Sequence, residues 1–259
     1  MRTLLKAAVY LIAGVLFFAV PQEASANLTL KANRDHIKVD FLYHGSTVTV
    51  SGQVERDADL MIKISSPEGH QSFKKKGKAA GVLWMNIGDI EFDHTPNLYF
   101  LHSTKTLEEM LSPEEADANT IGYSALGKHM DIAPVTDENE KTKWFKEFVK
   151  FKESSRLYAI SSGKISLSQK SDLQDFSIKL DWPYEAPPGD YIVTVYAVRG
   201  GHIIEKAEAK VLVEQVGIIK TLSNMAKNSG AVYGLISIAI ALGAGFGVGL
   251  VFRKGGGAH

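Results

Sequence analysis

Between Ala231 and Phe252 the chain reads AVYGLISIAIALGAGFGVGLVF, about twenty-two residues without a charge. At 1.5 Å of rise per residue, a helix of that length crosses a hydrocarbon core of roughly 30 Å. The stretch predicts a transmembrane helix over 231–252, and it constrains the rest of the chain to lie on one side of a bilayer or the other. Seven residues follow it, Arg253 to His259, and three of them are glycine. They read as a cytoplasmic tail, 253–259, too short to fold.

The other end of the chain reads as a targeting segment. Arg2 and Lys6 form a basic start, Ala7 to Val20 is apolar, Pro21 breaks the run, and Ala24-Ser25-Ala26 is an A-x-A cleavage pattern. A signal peptide is expected over 1–26, cleaved after Ala26. Were it retained as an anchor, the protein would have two spans; in both cases the middle of the chain is exported. The flanks of the C-terminal span do not orient it, since Lys220 and Lys227 precede it while Arg253 and Lys254 follow. The signal peptide decides, leaving Arg253 and Lys254 inside. The expected location is a bacterial inner membrane, crossed once, with the N-terminal domain periplasmic and the C-terminus cytoplasmic.

Acidic and basic residues balance at 29 each, which gives no sign of nucleic-acid binding. Cysteine is absent, so disulfides, thiolate metal sites and cysteine nucleophiles are all excluded. An exported domain without cysteine must be held by packing alone.

Over 27–105 the pattern has period two. Val48, Val50 and Val54 share a parity; Leu60, Ile62 and Ile64 alternate with Met61, Lys63 and Ser65; Val82, Trp84 and Asn86 oppose Leu83 and Met85. Turns are expected at His44-Gly45-Ser46, Pro67-Glu68-Gly69, Ile87-Gly88-Asp89 and Thr95-Pro96-Asn97. Short strands recurring in this way predict an immunoglobulin-like antiparallel β-sandwich, making the chain mainly β.

From 106 to 154 the period changes, and a helical insertion is predicted. Ser112 followed by Pro113-Glu114-Glu115 is a helix start, with a serine cap and proline in the first turn. Between Glu138 and Glu153, Trp144, Phe148 and Phe151 fall at helical spacing, joined by Phe145 and Val149, with charged residues between. This amphipathic helix is expected to pack its aromatic face on the sandwich rather than lie on a bilayer.

Strand character returns over 155–215. Phe176, Ile178 and Leu180 alternate with polar residues, and Pro187-Pro188-Gly189-Asp190 leads into Tyr191–Val198, apolar on both faces as in a central strand. After a turn at Arg199–His202, Ala207, Ala209, Val211 and Val213 face inward opposite Glu208, Lys210 and Glu214, so a closing hairpin is predicted. Whether the two β regions form one sandwich or two small ones stays open at this point. A juxtamembrane helix and linker, 216–230, with Ile218, Ile219, Leu222 and Met225 apolar, joins the domain closely to the span.

No catalytic, cofactor or metal motif emerges. Gly122-Tyr-Ser-Ala-Leu-Gly127 has one residue too many for a nucleophile elbow, which disfavours Ser124 as a nucleophile. Pairs such as His36 with His44 and His94 with His102 lack metal-ligand spacing. Arg56-Asp57-Ala58-Asp59 reads as a solvated turn, and Lys74-Lys75-Lys76-Gly77-Lys78 as a basic strand face protecting an edge. The sharper feature is in the span. Gly243 with Gly247, extended by Ala239, and Gly245 with Gly249 form two small-x-x-x-small registers. Residues two apart lie about 200° apart on a helix, so the registers flatten nearly opposite sides.

In order along the chain, RDADLMI at 56–62, AGVLWMN at 80–86, NLYFLHSTKTLEEM at 97–110, PPGDYIVTVYAVRGGHII at 187–204, VGI at 216–218 and YGL from 233 form a set of landmarks. With them the sequence resembles a family of single-span transmembrane proteins first described in alphaproteobacteria and of unknown function. The resemblance implies an exported β-rich domain with a C-terminal anchor, and a gene setting near permeases of the sulfite-exporter type. It carries no active-site residues. The expected role is non-enzymatic: a membrane-anchored periplasmic protein whose span associates with an integral membrane partner, such as an anion permease, or with itself. The alternative is a periplasmic module that binds a solute or an envelope polymer and uses the span as a simple anchor.

Overall fold

The computed structural model describes residues 28–79, 81–170 and 172–253. The expected signal peptide with its cleavage residue Ala26, and Lys254 beyond the span, lie outside the described residues. In chain order the strands are β1 Lys31–Ala32, β2 His36–Val39, β3 Ser46–Glu55, β4 Asp59–Ser65, β5 Glu68–Ala79, β6 Leu83–Pro96 and β7 Tyr99–Ser103. Helices α1 Leu107–Met110, α2 Pro113–Ala118 and α3 Gly122–His129, strand β8 Asp131–Ala133 and helix α4 Glu138–Ser154 follow. Strands β9 Tyr158–Ser162, β10 Ser166–Lys170, β11 Leu173–Trp182, β12 Gly189–Arg199 and β13 His202–Gln215 lead to helices α5 Gly217–Asn228 and α6 Gly230–Arg253.

Period-two burial builds two facing sheets. Val48, Val50 and Val54 of β3 and Phe176, Ile178 and Leu180 of β11 meet Leu60, Ile62 and Ile64 of β4 and Val193, Val195, Val211 and Val213 of β12 and β13 in one core. The first sheet has the order β1-β3-β11-β10, the second β2-β13-β12-β4-β7-β9. Strands from before and after the helical segment interleave, with β3 beside β11 and β4 beside β12. One pair of sheets therefore takes strands from both β regions. The sheets are not purely antiparallel, as the sequence suggested: β2 runs parallel to β13, and β7 parallel to β9. A parallel neighbour needs a long connection, and the segment from 104 to 157 supplies one between β7 and β9. Such a pairing leaves no local sequence signature.

The other face of the six-stranded sheet carries a second core. Met61, Tyr99, Leu101, Tyr158 and Tyr196 lie there with Phe92 of β6, Ile132 of β8, and Leu126, Phe148 and Val149 from the helices. The alternation expected for β4 holds, with Leu60, Ile62 and Ile64 turned to the first core, and on the opposite face Met61 is fully buried in the second. α4 closes that side with its aromatic face. Asp137 caps it by accepting from the Glu140 N–H at 2.9 Å. Phe148 stacks on Phe92 at 4.6 Å and meets Phe73 and Tyr158 edge-on. Ser112 caps α2 through the Glu115 N–H, with Pro113 at its start.

The largest departure from the sequence reading is the hairpin of β5 and β6, joined to β8 in a three-stranded sheet. Ile87-Gly88-Asp89, expected to turn, lies inside β6, and Glu68-Gly69 and Thr95-Pro96 are likewise strand. The register runs from Lys75 opposite Gly88 to Lys76 opposite Asn86, so Ile87 is the extra residue of a bulge. The side chain of Ile87 lies over Gly77, where a Cβ would fall 2.3 Å from Ile87 Cδ1. Glycine at 77 thus makes room for the bulged residue, and the turn between β5 and β6 falls at Gly81-Val82 instead.

Candidate membrane-spanning and membrane-proximal site

α6 contains a 21-residue stretch, Gly230–Leu250, with a mean hydropathy of 2.0 and none of it covered by the protein. Among the described residues it is the one helix long and apolar enough to cross a membrane. Ala239, Gly243, Gly245, Gly247 and Gly249 all fall on it, and Arg253 is its last residue. At each of the four glycines a Cβ would meet nothing within 4 Å. A family model described as "Putative transmembrane protein (Alph_Pro_TM)" matches residues 27–254. The chain belongs to this family. Among curated proteins, none matches it. Membership covers the β domain as well as the span, so the junction between them is part of the family's architecture.

At that junction the chain leaves the six-stranded sheet through β13. Val216 donates its N–H to the Val39 carbonyl at 2.9 Å, and Gly217 takes a left-handed φ of 62° to open α5. Lys220 pairs with Glu214 at 2.9 Å, tying the first turn of α5 back to the strand it left. No residue of α5 is buried. Helical order breaks at Ser229, with φ −145° and ψ 51°, and α6 begins at the next residue.

A cleft of about 600 Å³ lies between the two sheets near the same end, lined among others by His102, Arg156, Lys164, Lys179, Trp182 and Tyr184. It forms because β10 pairs only with Leu173–Ser177 of β11, leaving the edge from Ile178 to Trp182 without a β10 partner. Arg156 sits just past the C-cap of α4 with a φ of 55°, while the N–H groups of Arg156 and Leu157 close on the Glu153 and Lys152 carbonyls, both at 2.9 Å. Glycine usually takes that position, and an L-residue there costs roughly 1 kcal/mol or more. Burial, helped by the charge of Lys164, lowers the His102 pKa to about 4, so its imidazole is neutral at pH 7.

The other residues weighed from sequence do not converge. His36 pairs with Glu214 at 3.3 Å, and His94 stands near Glu68 and Asp131 at 3.6 and 3.7 Å. Among the described residues no group of three or more His, Cys, Asp or Glu side chains is arranged to hold a metal ion. Ser124 lies exposed on α3. Asp59 accepts from Lys105 at 2.8 Å beside the Arg56-Asp57 turn. In the basic run, Lys74 pairs with Asp89 at 2.8 Å and Lys75 lies over the Trp144 ring at 5.1 Å.

Two features escaped the sequence reading. Val82, Leu83, Trp84, Met85 and Ile87 are all exposed at the hairpin tip, where an alternating strand was expected to hide one face. Two lysines are also withdrawn from water. Lys152 lies among Phe148, Tyr158 and the Asn97 carbonyl, and Lys63 bonds the Asn119 carbonyl beside Tyr196; desolvation lowers each pKa to about 8. Lysine looks solvated in any sequence pattern, so nothing local marks these two.

Proposed function

We propose that this is a non-enzymatic protein of the bacterial inner membrane, with its β domain in the periplasm and its C-terminus in the cytoplasm. Its glycine-rich span packs against an integral membrane partner, an anion permease being one candidate, or against a second copy of the chain. The observation that carries this reading is the open space beside Gly243, Gly245, Gly247 and Gly249 on an uncovered apolar helix. Backbones approach closely where side chains are missing, and packing of that kind drives helix association in lipid. The two facing sheets and the β12–β13 hairpin support an immunoglobulin-like reading of the domain, with the two parallel pairings as a departure from it.

The test is capture of the tagged full chain from mild detergent. A multi-span protein or a second copy should be recovered with it, and Gly243→Ile combined with Gly247→Ile should abolish that recovery. Unchanged recovery would remove the packing role. The cleft beside Arg156 favours one second reading, a module that binds a solute or an envelope polymer. Under that reading the full chain in detergent gains thermal stability with an anion, a metal ion or a glycan, because ligands that bind the folded state raise its stability. A flat response across all three classes counts against it.

A further inference from the structure

β2 and β13 run parallel and end in register, Val39 beside Gln215, so both chains emerge from the same end of the domain. One continues through Val216 into α5 and the span. The other makes the turn into β3, in which Phe41 is 77 % exposed and Leu42 71 % exposed. Ser46 at the start of β3 faces Trp182 at the end of β11, which places the β11–β12 connection at this end too, with Tyr184 exposed on it. At the opposite end the β3–β4 and β12–β13 turns present Arg56-Asp57 and Gly200-Gly201.

α5 has the matching character. At 100° per residue, Ile218, Ile219, Leu222, Met225 and Ala226 fall within an arc of about 120°, with Lys220 and Lys227 on the far side. Ile218 and Leu222 are exposed on that arc. A helix with one apolar face, lysines opposite it and a single broken residue before a span is built to lie along the headgroup region. The Ser229 break lets it do so, and the Lys220–Glu214 pair and the Val216–Val39 hydrogen bond hold the domain end beside it.

We propose that this end of the β domain rests on the phospholipid surface, with the apolar arc of α5 and the Phe41-Leu42 turn inserted at headgroup depth and Tyr184 at the rim. The bilayer is the occupant because the span continues from α5 after one residue. The domain is thereby docked rather than tethered, whatever partner the span has.

The absence of native cysteine makes the test direct. Phe41→Cys, Leu42→Cys, Leu222→Cys and Arg56→Cys are prepared singly in the full chain, reconstituted in nanodiscs, and labelled with an environment-sensitive fluorophore. A phospholipid carrying a shallow spin label serves as quencher. Labels at 41, 42 and 222 should emit at shorter wavelength and lose at least half their intensity to the quencher, and the label at 56 should do neither. Water-like emission at 41 and 42, with or without quenching at 222, overturns the proposal. So does a blue shift at 41 and 42 without lipid quenching, which would mean that a protein covers the turn. As an independent check, Phe41→Ser combined with Leu42→Ser should leave the melting temperature unchanged while reducing the quenching of a label carried by Leu222→Cys. Unchanged quenching there argues against a shared docking surface.

Discussion

His102 Nδ1 and Ser161 Oγ lie 2.7 Å apart across the parallel pairing of β7 and β9, and His102 shares its register with Ile62 of the inner core. Held there, the imidazole resists protonation, and its pKa falls to about 4 from 6.5. Between those values the unfolded chain takes up a proton that the folded chain refuses, so stability declines as pH drops from 6.5 toward 4. The loss from this group is up to about 3 kcal/mol. His102→Gln keeps a partner for Ser161 and should flatten the melting temperature against pH in that window; an equally steep profile would show that another group is responsible.

Lys152 is 3 % exposed, with a carbonyl and two rings as its neighbours. Its folded pKa of about 8 lies below the ordinary 10.5, so the folded state releases a proton that the unfolded state retains, and stability rises with pH from 8 to 10.5. Lys152→Met should remove that rise. At pH 7 it should also relieve desolvation, stabilising by roughly 1 kcal/mol, or about 2–4 °C in melting temperature. A lower melting temperature at pH 7 would show that the Asn97 hydrogen bond outweighs the cost of burying the charge.

A Cβ on Gly52 would fall 1.9 Å from the Thr29 carbonyl oxygen and 2.8 Å from Phe176 Cζ. Thr29 is held by two hydrogen bonds to Gln53 and Phe176 is buried in the core, so Gly52→Ala should cost about 2 kcal/mol. Gly69→Ala, with nothing within 4 Å, should stay within about 0.5 kcal/mol of the parent. Chemical denaturation of the two variants side by side distinguishes steric crowding from a general intolerance of substitution.

Phe148 joins α4 to the hairpin through Phe92 and Phe73, and to the sheet through Tyr158. Phe148→Ala should destabilise by about 3–5 kcal/mol and speed tryptic cleavage within Lys74–Lys78. Phe151, half exposed and touching only the Phe73 edge among these rings, should tolerate the same change at about 1 kcal/mol. Equal effects from both positions would mean that the aromatic cluster does not couple helix and hairpin.

Patterns that depend on neighbours in sequence were legible. Ser112 and Pro113 start a helix because the unpaired N–H groups of its first turn need a nearby acceptor, and Phe176, Ile178 and Leu180 share a face because strand geometry alternates. The turn assigned to Ile87-Gly88-Asp89 failed for the converse reason. Glycine suits a bulge as well as a turn, and only the position of Gly77 on the opposing strand decides between them.

By itself the sequence determined the span, since length and the absence of charge depend on no other part of the chain, and it determined the glycine registers, which follow from helical geometry alone. Tertiary structure decided that β3 and β11 share a sheet, that Lys152 leaves water, and that Phe41 stands at the end from which the span departs. Each of these depends on which distant strand lies alongside, and a parallel pairing such as β2 with β13 is set by packing between residues from opposite ends of the domain's sequence.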